Sequence, residues 1–101
     1  MSHKQVIVAP SIHMNGSDAD TLFESYAEAA ASVRKALKAM EDASPNARDY
    51  YVQGADAYGQ AVKQHVARAD KLLEVQKEIY EILESIAEAR DLKKSRANRS
   101  R

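Results

Sequence analysis

Tyr58, Val62, His65, Ala69, Leu72, Gln76, Ile79, Leu83 and Ile86 recur at alternating spacings of four and three. A heptad seam held for four repeats lies on one side of an α-helix and needs a partner helix to cover it. The pattern predicts a helix over about residues 55–94 and an all-α fold. Val66, Leu73 and Tyr80 make a second stripe beside the seam, and Val75 and Ile82 widen the apolar face. One partner covers one seam, so the extra stripes call for further neighbours. His65 interrupts the seam with a polar group. A seam histidine more often sets register or finds a partner in the core than it ligates metal, and here Ala61 and Ala69 flank it one turn away.

The first partner lies upstream. Leu22, Tyr26, Ala29, Val33, Leu37 and Met40 recur at threes and fours, predicting an amphipathic helix over residues 17–43. Ser17 reads as its N-cap, with Asp18 and Asp20 at its positive end. Pro45 and Asn46 stop it. Residues 1–16 read as a non-helical N-terminal extension: Gln5-Val6-Ile7-Val8 is β-branched, and Pro10 and Asn15-Gly16 interrupt it. The expected architecture is a long antiparallel helical hairpin of helix 17–43, bend 44–54 and helix 55–94, with a basic tail over 95–101. Folding about residue 49 sets Asp18 beside Tyr80 and leaves Ile82, Leu83 and Ile86 without a helix over them. The N-terminal segment could cover part of that surface; a second subunit is the favoured candidate, so oligomerisation through the second helix is expected.

The composition agrees with that expectation. The chain has 101 residues, one Phe and no Trp, and much of its 45% hydrophobic content is alanine. That is one domain with a thin core, which favours self-association. With no cysteine there is no disulfide and no thiolate, which fits a cytoplasmic setting. The run Val6-Ile7-Val8-Ala9 is too short for a signal segment or a membrane span. From Arg90 onward six basic residues face only Asp91, although the net charge is zero. No aromatic residue interleaves with them to stack on bases, so a solvated helix end is favoured over a nucleic-acid surface.

Two polar clusters carry the candidate chemistry. In the bend, Asn46, Arg48, Asp49, Tyr50, Tyr51 and Gln53 combine a planar cation, an acid, two aromatic faces and two amides. This inventory suits phosphate or carboxylate with a ring. The structural alternative has Pro45 and Asn46 making the turn, Asp49 pairing with Arg48 and one tyrosine plugging the hairpin's end. Adjacent tyrosines cannot both enter one small core, so at least one should be exposed. The second cluster is His13, Asn15, Gly16 and Ser17, where backbone amides at a helix start could receive an anion. Its structural alternative is a tight turn followed by a cap, which leaves His13 without a role. One hairpin holds the clusters at opposite ends, and only an antiparallel pair of subunits would join them. No spacing points to a catalytic set, a metal site or a cofactor.

His13-Met14-Asn15-Gly16-Ser17 and Pro45-Asn46-Ala47-Arg48-Asp49-Tyr50-Tyr51, with Gln53-Gly54, also carry a resemblance. Over residues 10–90 the chain resembles a group of small bacteriophage and prophage proteins. That group pairs a His-Met-Asn-Gly-Ser/Thr turn with a Pro-Asn-x-Arg-Asp-Tyr-Tyr-x-Gln-Gly bend. Val52 stands where the group has proline. The resemblance implies phage origin and a bacterial cytoplasm, and it brings no settled activity with it. Some small phage proteins of similar size and hairpin build sequester host immune signals such as cyclic nucleotides or modified ADP-ribose. The expected function is non-catalytic binding of a small anionic, nucleotide-like ligand between subunits. The alternative is an interaction module that docks on a host protein.

Overall fold

The computed structural model describes residues 6–99, with side chains described through Leu92. Two α-helices pack against each other: α1 spans Ala19–Asp42 and α2 spans Ala57–Arg99. Two single-turn 3₁₀ helices, Ala47–Asp49 and Tyr51–Gln53, lie between them. The fold is the expected all-α hairpin. Val6-Ile7-Val8 belongs to no strand, and there is none among the described residues. Gln5 lies outside those residues, as do the side chains of the basic tail, though the backbone of α2 stays helical through Arg99.

The start of α1 differs from expectation by one residue. Asp18, and not Ser17, caps the helix: its Oδ1 accepts the Thr21 N–H at 2.6 Å, and its carbonyl accepts the Leu22 N–H at 3.1 Å. Either side chain could satisfy the orphan N–H, but only the carboxylate also meets the helix's positive end with a full negative charge. At the other end, the Ala43 N–H is shared between the Ala39 and Met40 carbonyls, and the Ser44 N–H reaches Glu41. Pro45 then follows, with no N–H to continue the ladder.

The chain forms two compact units, residues 1–31 with 77–101 and residues 32–76. In the first, Ala30 and Ile86 are fully buried, Ile86 at 0% exposure. This corrects the expectation that Ile86 lacks intrachain cover. The Arg90 guanidinium donates to Asp20 Oδ1 at 3.2 Å and lies 5.0 Å from the centre of the Phe23 ring. The beginning of α1 therefore sits beside Arg90, well past Tyr80. In the second unit, the Ser44 hydroxyl and His65 Nε2 approach to 3.4 Å. That pairing centres the reversal near Gly54, because two 3₁₀ turns carry the chain across before α2 begins.

The α1 stripe from Leu22 to Met40 and the α2 seam from Val62 to Leu83 are half-buried throughout. A residue facing one neighbouring helix stays partly open, whereas one surrounded by several is sealed. Ala30 and Ile86 are the sealed positions among the described residues. Ile86→Ala is expected to cost about 3 kcal/mol of stability through lost burial and a residual cavity. Asp20→Asn should cost under about 1 kcal/mol, because its carboxylate is largely solvated. Urea unfolding followed by circular dichroism reads both.

Candidate functional site

The bend lies in the unit of residues 32–76. Asn46 has extended backbone (φ −113°, ψ 133°), and its Oδ1 accepts the Arg48 N–H at 3.0 Å. Its carbonyl accepts the Asp49 N–H, also at 3.0 Å. Both acceptors hold the first 3₁₀ turn, so Asn46 is scaffold. The next turn closes with the Gln53 N–H donating to the Tyr50 carbonyl at 2.9 Å. Gly54 leaves it at φ 118°, ψ 170°, a backbone region open essentially to glycine alone.

The two tyrosines divide as the geometry requires. Tyr50 is half-buried, its ring 6.4 Å from that of Tyr58 at an interplanar angle of 47°, and it closes the hairpin's end. Tyr51 is 74% exposed. Arg48, Asp49 and Gln53 are exposed with it. Among the described residues no salt bridge joins Arg48 to Asp49, so the guanidinium keeps its five donors for other partners. Val52, in sequence a departure from proline, is 76% exposed and follows Tyr51. A lone valine in a polar loop was the available signal for this apolar addition.

The second cluster belongs to the unit containing residues 1–31. The Gly16 N–H donates to the His13 carbonyl at 3.2 Å, closing a turn. The His13 ring lies over Gly16: a Cβ there would stand 2.7 Å from Nε2. The exposed His13 ring thus rests against its own turn, and a side chain at position 16 would push it aside. Asn15 and Ser17 are exposed. The amide site expected at the start of α1 is altered by the cap. The Asp18 carboxylate takes the Thr21 N–H and places negative charge where an anion would sit. Each cluster is local to its own unit; both present exposed side chains, and the bend is the one that adds a cation and an exposed aromatic ring.

Known proteins offer no guide here. No family model, curated protein or solved structure matches the chain.

The site therefore separates into scaffold and free groups. Asn46→Ala should lower stability by about 1 kcal/mol by losing the cap. Gly54→Ala should lower it by about 1–3 kcal/mol. Nothing lies within 4 Å of the added Cβ, so that cost comes from the backbone alone. Arg48→Ala and Tyr51→Ala should stay within about 0.5 kcal/mol of the parent. Parallel denaturant titrations of the four variants check the division.

Proposed function

We propose that the chain is a non-catalytic binding protein whose bend takes a small anionic ligand bearing a planar ring, of the nucleotide class, between copies of the chain. The observation that carries the reading is the unequal use of two adjacent tyrosines. Tyr50 leans on Tyr58, while Tyr51 stands exposed on the 3₁₀ turn that follows the one carrying the exposed Arg48. A ring face for stacking and a planar cation for phosphate are the two groups such a ligand requires. Asp49 can accept from sugar hydroxyls, and the Gln53 amide can both donate and accept. The resemblance to small phage proteins gives the reading a setting. In it the protein is phage-borne, lies in the bacterial cytoplasm and sequesters a nucleotide-derived immune signal of the host.

One observation favours a second reading. Val52 adds exposed apolar surface beside Tyr51, and tyrosine, arginine and aliphatic side chains in one patch suit docking on a protein. The readings separate by calorimetric titration with a cyclic dinucleotide, ADP-ribose and inorganic phosphate. Ligand binding predicts that one of the ring-bearing anions binds and phosphate alone does not. Arg48→Ala and Tyr51→Ala should then each weaken the affinity by about tenfold or more, the order of one stacked base or one charge-assisted contact. Flat titrations with both nucleotides would reject these ligands and shift weight to the docking reading. Val52→Asp would then be the variant that disrupts capture of a bacterial protein.

A further inference from the structure

Asn15-Gly16 is a pair with a chemistry of its own. With no side chain on the glycine, its amide nitrogen is the least hindered nucleophile for the carboxamide of the preceding asparagine. The fold leaves this pair in the open, within the unit of residues 1–31 and 77–101. Met14, Asn15, Gly16 and Ser17 are all exposed. The attacking nitrogen is the one whose N–H closes the turn on the His13 carbonyl, at 3.2 Å. That distance is at the long limit for an N–H···O bond, so the turn is weakly held. The His13 ring lies against the same residue: its Nε2 would stand 2.7 Å from a Cβ on Gly16. The Gly16 Cα is bonded directly to the amide nitrogen, so an imidazole nitrogen lies beside the place where a proton must leave. Asn46 is the opposite case. Its Oδ1 is held by the Arg48 N–H and its carbonyl by the Asp49 N–H, each at 3.0 Å. Ala47 also sets a methyl group beside the nitrogen that would attack.

We propose that Asn15 is a self-modifying site, converted in water to aspartate and isoaspartate with His13 as the base. The Gly16 nitrogen leaves the His13 carbonyl and bonds to Asn15 Cγ, giving its proton to the imidazole. The imidazolium returns that proton to Nδ2, the Cγ–Nδ2 bond breaks, and ammonia departs. A cyclic succinimide remains. Water adding at Cγ opens the ring to aspartate; water adding at the main-chain carbonyl carbon opens it to isoaspartate. Nothing is oxidised or reduced, and water is the co-reactant. Either product sets a new carboxylate shortly before Asp18, whose own carboxylate caps α1. The isoaspartate product also runs the chain through Cβ, which lengthens the turn and breaks its bond to His13. The ligand reading rests on the bend, so the two stand or fall separately.

The test is incubation of the full chain at neutral pH in water enriched in heavy oxygen, followed by peptide mapping with mass spectrometry. Asn15 should take up solvent oxygen as it converts, while Asn46 keeps its amide. An isoaspartyl methyltransferase should label the peptide containing position 15 as the product accumulates. His13→Ala keeps the carbonyl that closes the turn and removes the ring, so it should slow conversion by about tenfold or more. Free imidazole in the buffer should restore part of that rate, which a merely structural role for the ring would not allow. Circular dichroism confirms that the variant stays helical. Conversion at Asn15 no faster than at Asn46 would overturn the site. A His13→Ala rate equal to the parent's, or one that imidazole does not raise, would overturn the role given to His13.

Discussion

A helix that packs on one other helix can hide a stripe spanning roughly 100° of its surface and no more. Both helices here work within that limit. Their seams are half-buried over most of their length, and full burial is reached at Ala30 and Ile86. Alongside this half-buried apolar contact, a few polar attachments mark where one helix lies along the other. Arg90 holding Asp20 across the Phe23 ring, and Ser44 meeting His65, each tie a part of α1 to a part of α2. The apolar side chains that one seam cannot cover are left outward.

The same economy shapes the bend. A chain that only had to reverse could do so in a few turn residues. Here two successive 3₁₀ turns cross the gap, pinned by Asn46 at one end and released by Gly54 at the other. Their backbone bonds are internal to the turns, so the side chains of Arg48, Asp49, Tyr51 and Gln53 are not spent on holding the loop.

Hydrophobic period was enough to read the two helices, because a seam sustained for several heptads has few other solutions. Pro45 and Asn46 marked the end of α1 for equally local reasons. What escaped the sequence was the placement of one helix along the other. The turn residues centre the reversal on residue 49, which leaves Ile86 bare, whereas the folded chain buries it. Nothing local announces that Asp20 will meet Arg90, since the pairing depends on how many residues the bend consumes. The N-cap missed by one residue because Ser17 and Asp18 both satisfy the rule, and the helix dipole decides between them. In the candidate site, the split between Tyr50 and Tyr51 could be anticipated from adjacency. Which of the two turned inward depended on Tyr58, which approaches only once α2 is in place.

The distribution of chromophores follows from that split. The chain has no tryptophan and five tyrosines, and Tyr50, Tyr51 and Tyr58 all lie in or next to the bend. Its near-ultraviolet absorption and emission are thus weighted toward one end of the hairpin. Of these three, two are paired rings and the third is open to solvent. Solvent quenchers would reach the open ring before the paired ones, and the paired rings would dominate the near-ultraviolet circular dichroism. The molecule therefore carries its own optical label at its candidate site, and needs no dye to report what happens there.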